Sequence, residues 1–287
     1  MTAMPTASKR RHLIALGALG LAGCSATGAL NVLVPRGTYR AETGIAYGDD
    51  ARQRLDVYVP LQPQPAAPLA VFFYGGSWTR GDRADYRFVG EALASAGIIA
   101  VVADYRLSPQ VRWDAILQDC SDAVRWGFRN AERLGSSTRR IYLVGHSAGA
   151  YNAAMLALDD RWLARHGLQP RQLAGWVGMA GPYNFLPIVD PDSRRAFDWP
   201  DTPLDSQPIA HASAQAPRTL LLAAREDQVV NPQRNSVQLA QRLRGAGVDV
   251  ELEVLEGVNH VTIIGALATP LRGLAPVRDA VTRFILS

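Results

Sequence analysis

The sequence predicts an α/β domain whose central sheet is mostly parallel and covered by helices on both faces. Three observations predict it. From Leu69 to the C-terminus, apolar runs of strand length alternate with amphipathic segments of helix length. Leu69 to Tyr74 and Ile98 to Ala103 are apolar at every position, as strands buried on both faces are. The composition, 48% hydrophobic and 20% charged over 287 residues, is that of a packed domain, and no internal repeat or low-complexity tract interrupts it. One domain is expected, and disorder is excluded.

The N-terminus reads as an address. Lys9-Arg10-Arg11 precedes the apolar run Leu13 to Leu21, which is shorter than the roughly 20 residues a membrane span needs and suits the core of a signal peptide. The run ends in Leu21-Ala22-Gly23-Cys24, which resembles the lipobox of bacterial lipoproteins. That resemblance implies removal of residues 1–23 and a diacylglycerol on the Cys24 thiol, hence a lipid-anchored protein of the cell envelope facing the periplasm or the exterior. Arg10-Arg11-His12-Leu13-Ile14 is also similar to a twin-arginine signal, so Sec and twin-arginine export both stay open. Residues 1–23 hold three basic and no acidic residues, so their loss takes the formal charge from +4 to +1. The remaining arginines are scattered, and a nucleic-acid partner loses its support.

Residues 24–37 are expected to tether the anchor to a domain spanning 38–287. Arg54 to Val59 alternates polar and apolar like a half-buried edge strand, and the Pro-rich link 60–68 separates it from the buried strand at Leu69. Ile98 to Ala103 follows as a strand. Trp113 to Leu134 carries Ile116, Leu117, Cys120, Val124 and Phe128 at helical spacing, which puts Cys120 in the core. With Cys24 lipidated, Cys120 has no intramolecular partner, and a structural disulfide is excluded. Further strands are expected at Arg140 to Gly145, Leu173 to Met179, Thr219 to Ala223 and Val248 to Leu255, and helices at Ser147 to Leu158 and Pro232 to Gly245. The segment after His260 reads as largely helical. Residues 182–217 break the rhythm with seven prolines; a loop of that length is usually functional. Its Phe185, Phe197 and Trp199 predict a small cap over the site that contacts substrate, with packing against the sheet as the alternative.

In parallel sheets chemistry gathers at the C-terminal strand ends. Gly145-His146-Ser147-Ala148-Gly149 is a G-x-S-x-G motif between a predicted strand and a predicted helix. This is the context of a nucleophile elbow, where Gly145 and Gly149 are required because a side chain would strike neighbouring backbone. Ser147 is therefore the candidate nucleophile, and it needs a base. Among five histidines, His12 lies in the signal, His146 packs beneath the elbow, and His166 and His211 lie in connections. His260 follows the strand ending at Leu255, where this chain order puts the base. The acid should follow the preceding strand. Asp227-Gln228-Val229-Val230 fits, because its valines anchor the loop and aim the carboxylate, and Glu226 is the rival. An oxyanion needs aimed donors. Tyr74-Gly75-Gly76-Ser77-Trp78, after the first buried strand, offers the N–H groups of Gly76 and Ser77, to be joined by that of Ala148, with Gly75 and Trp78 in support.

From Leu69 to His260 these motifs resemble the α/β-hydrolase superfamily. Within it the chain is similar to the esterases and formamidases that carry His-Gly-Gly-x-Trp, such as the kynurenine formamidases and isoprenylcysteine methylesterases. Asp104-Tyr105-Arg106-Leu107-Ser108-Pro109 resembles the segment after the fourth strand in hormone-sensitive-lipase-like esterases, where Arg106 is expected to bond nearby backbone. Tyr74 stands where the family motif has His. The donors are main-chain groups, so the chemistry survives the change. The resemblance implies a serine carboxylic-ester hydrolase acting on a small-molecule ester through an acyl-enzyme, with neither metal nor cofactor. Hydrolysis of an arylformamide or another amide by the same residues is the alternative. A catalytically silent lipoprotein binding module is the reading from another class.

Overall fold

In the computed structural model, which describes residues 30–287, the strands are β1 (Tyr39–Ala46), β2 (Arg54–Pro60), β3 (Leu69–Phe73), β4 (Ile99–Ala103), β5 (Ile141–His146), β6 (Gly175–Met179), β7 (Thr219–Ala224) and β8 (Val250–Leu255). They form one sheet in the order β1-β2-β4-β3-β5-β6-β7-β8. The pairs β1/β2 and β2/β4 are antiparallel, and every pair from β4/β3 to β7/β8 is parallel. The expected fold class is the one observed. The apolar runs became the middle of the sheet: every residue of β3, β4, β5, β6 and β7 is buried.

The main helices are α1 (Arg87–Ala94), α2 (Trp113–Asn130), α3 (Ala148–Leu158), α4 (Pro191–Ala196), α5 (Gln238–Gly245) and α6 (Val277–Leu286). α1 to α5 lie in the connections that parallel strands require, and α6 follows β8 at the end of the chain. Each crossover returns the chain to the same sheet edge, so the loops after β3, β5, β7 and β8 meet there.

The fold differs from expectation at β2, β1 and α1. Arg54 to Val59 is no edge: β1 pairs outside it, and β2 is buried from Leu55 onward. β1 itself carries no hydrophobic pattern because most of its side chains are exposed. α1 also went unread, being short and interrupted by Gly90, where a methyl group would run into the Tyr58 ring. The stretch expected as tether docks over its described part. Asn31 donates to the Ala84 carbonyl at 2.5 Å and accepts the Phe88 N–H at 3.2 Å, and Val34 is buried. Cys24 and the signal segment lie outside the described residues.

Candidate active site

Ser147 sits at the end of β5 with φ 54° and ψ −122°, a conformation unfavourable for a residue with a side chain. Close packing holds it there. A methyl group on Gly145 would strike the Gly149 carbonyl, and one on Gly149 would strike the carbonyls of Phe73 and Tyr74. The Ser147 N–H donates to the Met179 carbonyl at the end of β6, 2.9 Å away, which fixes the turn to the next strand. The turn lifts the hydroxyl out of the sheet edge and aims it at His260.

His260 Nε2 lies 2.9 Å from Ser147 Oγ, and its Nδ1 lies 2.7 Å from Asp227 Oδ2. With Nδ1–H donating to the carboxylate, Nε2 is free to take the serine proton. Asp227 is buried, and its other oxygen accepts the N–H groups of Val229 and Val230, each at 2.8 Å. Burial alone would raise the Asp227 pKa, but the hydrogen bonds from His260, Val230 and Val229 outweigh it and hold the carboxyl below its ordinary value. The acid stays ionised beside the imidazole. Glu226, the rival, is exposed to solvent.

His146 packs beneath the elbow and does more than fill space. Its Nε2–H donates to the His260 carbonyl at 2.8 Å. Burial, reinforced by the nearby His260, lowers its pKa to about 3, so the ring is neutral at ordinary pH. A residue adjacent to Ser147 in sequence thus holds the loop that carries His260.

The loop after β3 has the shape of an anion cradle. Gly75 lies so close to the elbow that an added methyl group would be 2.8 Å from Ser147 Cβ. Gly76 has φ +128°, open only to glycine, and Ser77 and Trp78 are left-handed at 50° and 59°. Among the described residues the N–H groups of Gly76 and Ser77 have no acceptor. Ala148 opens α3, where a backbone N–H has no intrahelical partner. Trp78 is held from below, its indole N–H donating to Asn152 Oδ1 on α3 at 3.0 Å.

Tyr74, in place of the family His, is wholly buried between the stacked rings of Tyr86 and Tyr105. Its hydroxyl donates to Asp104 at 2.7 Å and receives Arg52 at 2.6 Å. Arg83 also pairs with Asp104, at 2.5 Å. The Gly75-Gly76 loop therefore rests on a buried charged cluster. Arg106 corrects an expectation: it does not bond backbone but forms a forked ion pair with buried Asp119, at 2.7 to 3.1 Å.

A cavity of about 380 Å³ opens on Ser147 and Ala148, walled by Ser77 and Trp78, by residues between 182 and 193, and by the loop around Val229 to Asn235. The three cap aromatics part ways here. Phe185 lines the cavity. Phe197 does not: it has no exposure and packs against Trp78, Phe185 and Tyr151, with centroids 4.7, 5.2 and 5.2 Å away. Its position at the end of α4 turns the ring inward. Trp199 is 50% exposed, lies under the Arg194 guanidinium and borders a separate cleft. Substrate contact by Phe197 and Trp199 is therefore corrected, because neither ring reaches the cavity wall. Asn152, which holds Trp78, and Asn235, whose Oδ1 accepts the N–H groups of Tyr183 and Asn184, carry no sequence signal, because their contacts join distant segments.

Similarity to known proteins agrees with this geometry. The sequence pattern of the BD-FAE family matches residues 55–243. A probable isoprenylcysteine alpha-carbonyl methylesterase of Oryza sativa is 30% identical over 80% of this chain, which covers 59% of that protein's length. A kynurenine formamidase of Danio rerio is 26% identical over 78% of the chain and 75% of its own length. The esterase of Pyrobaculum calidifontis superposes with a TM-score of 0.72 over 91% of this chain and 90% of its own, at 22% identity, which speaks to the fold alone. The chain belongs to the BD-FAE family, within the esterase and formamidase group of the α/β-hydrolases.

Proposed function

We propose that the protein is a serine carboxylic-ester hydrolase that works through an acyl-enzyme. The observation that supports this most directly is the unbroken chain Ser147 Oγ, His260 Nε2, His260 Nδ1, Asp227 Oδ2, with contacts of 2.9 and 2.7 Å. His260 takes the serine proton as Ser147 attacks the ester carbonyl, and the ionised Asp227 stabilises the imidazolium that forms. The N–H groups of Gly76, Ser77 and Ala148 receive the developing oxyanion. His260 then protonates the leaving alcohol, and the same residues, with water as nucleophile, release the acid.

Hydrolysis of a formamide by the same residues is the second reading, favoured by the likeness to a kynurenine formamidase. Tyr74 in place of the motif His and the likeness to a methylesterase favour the ester. Side-by-side turnover of an aryl acetate and the matching arylformamide decides between them. Faster ester turnover is expected, and a preference for the formamide reverses the assignment. A silent binding module is disfavoured by the joint presence of Ser147, His260, Asp227 and the Gly75-Gly76 turn, since no packing need calls for all four.

The N-terminal motif supports attachment of the enzyme to a membrane of the bacterial envelope through lipid on Cys24. Two or more acyl chains give stable anchoring where one gives only marginal binding. Loss of membrane association in a Cys24→Ala chain is the expected result. Unchanged association rules the anchor out.

A further inference from the structure

The cavity at Ser147 contains a cation that ester hydrolysis does not use. Arg234 lines it on the wall formed by the segment after β7. The residue belongs to a π-helical turn, Gln233–Val237, that leads into α5. Such turns are rare and frequently lie at functional sites. This one is braced: the Arg234 N–H donates to Asn231 Oδ1 at 3.0 Å, and Asn235 Oδ1 accepts the N–H groups of Tyr183 and Asn184 at 2.7 and 2.8 Å. The turn presents the guanidinium from a rigid base.

Arg234 Nη2 donates to the Leu186 carbonyl. Among the described residues the rest of the guanidinium has no acceptor, and no carboxylate lies within 4.0 Å of it. The other charged groups of the cavity are Arg80 and Asp190. Arg80 pairs with Asp192 at 2.8 Å, and one Asp190 oxygen takes the Ser193 N–H and hydroxyl at 2.8 and 2.6 Å. A half-buried guanidinium without a counter-ion keeps donors free for an anion. A strut to Leu186 would need a single donor, whereas the guanidinium fork is suited to a carboxylate.

We infer that Arg234 recognises an anionic group of the substrate, so that the natural ester bears a free carboxylate on its acyl or its alcohol part. The inference rests on the ester-hydrolase reading and deepens it. A carboxylate in the cavity accepts from the unpaired guanidinium N–H groups while the ester carbonyl reaches Ser147. Neutral esters enter the same cavity but leave Arg234 without a partner.

Two matched substrate pairs test this. An aryl hemiglutarate against the corresponding aryl valerate puts the charge on the acyl side. The acetate of 3-(4-hydroxyphenyl)propionic acid against that of its primary amide puts it on the alcohol side. The readout is the ratio of kcat/KM for the anionic to the neutral member, in which any general loss of folding cancels. Arg234→Gln should lower the ratio for at least one pair by about tenfold or more, the value expected for a charge-assisted hydrogen bond. Arg234→Lys should restore part of it. In the wild type the same ratio should fall as salt is raised from about 0.01 M to about 1 M. The pair that responds tells which side carries the carboxylate. Ratios unchanged by Arg234→Gln for both pairs, with the neutral esters still hydrolysed, overturn the inference and leave the ester reading standing. Failure of the wild type to hydrolyse any of the four esters overturns both.

Discussion

His146 Nε2 donates to the carbonyl oxygen of His260 at 2.8 Å, and the two rings lie 5.3 Å apart between centroids. The residue beside the proposed nucleophile thereby supports the residue proposed as its base. Among the described residues Nδ1 of His146 has no partner, and it faces the loop at Gly75, so the ring fills the space between both halves of the site without carrying charge.

The neutrality of His146 has a signature in the pH dependence of stability. Its folded pKa is about 3 against an ordinary 6.5, so between these values the unfolded chain binds the extra proton. Stability therefore rises with pH across that window. The contribution is fully present above the unfolded pKa and is lost as pH falls, reaching roughly 2–3 kcal/mol by about pH 4.5. His146→Gln keeps a donor for the His260 carbonyl and removes the titration. Urea unfolding of wild type and variant at neutral pH and near pH 4.5 should show a shallower acid loss in the variant. Equal losses would contradict the assignment of a neutral ring.

The aromatic residues between 182 and 217 should divide by location. Phe197→Ala empties a wholly buried site and should cost about 3–5 kcal/mol of stability. Trp199→Ala should change the melting temperature little, because the ring is half exposed. Phe185→Ala should alter the preference among esters of different acyl length, because that ring lines the cavity. A change of preference in Trp199→Ala with none in Phe185→Ala would reverse this division.

Gly149 and Gly245 make a matched test of the elbow. A methyl group at Gly149 meets two backbone carbonyls, whereas one at Gly245, at the end of α5, meets nothing within 4 Å. Gly149→Ala should yield a protein that is strongly destabilised or fails to accumulate. Gly245→Ala should be neutral or stabilising by up to about 1 kcal/mol, as alanine restricts the unfolded chain. Thermal melts of the two variants check both. A Gly149→Ala protein that melts like wild type would show that the elbow is looser than described.

Tyr74→Phe separates support of the proposed oxyanion loop from chemistry. The change removes a buried hydroxyl that bridges Asp104 and Arg52 but leaves Arg83 on Asp104 and the main chain at Gly75 and Gly76 intact. Stability should fall by about 1–3 kcal/mol. The kcat/KM of the folded variant should change little, because the proposed donors are backbone groups. A large loss of kcat with unaltered stability would mean that the tyrosine hydroxyl takes part in the reaction.

The sequence made legible whatever is written locally. Ser147, Asp227, His260 and the Gly75-Gly76 turn each sit in a short motif beside an apolar run, so strand end and side chain were read together. β1 was not legible because an exposed edge strand has no apolar face. Arg106 was misassigned because its partner, Asp119, lies on a helix read as an ordinary amphipathic segment. Asn152 gave no signal, since its role exists only once α3 is placed under Trp78. Arg234 was likewise silent, its neighbour Leu186 being 48 residues away in the chain.

The central claim is that Ser147 is a nucleophile activated by His260, and covalent labelling tests it most directly. A fluorophosphonate should add one phosphonyl group to the intact protein, and peptide mapping should put it on Ser147. Ser147→Ala should take up none. His260→Ala should label slower by a factor on the order of 10² or more, because the base that activates the hydroxyl is gone. Absence of an adduct from the wild type, or an adduct on a residue other than Ser147, would contradict the account.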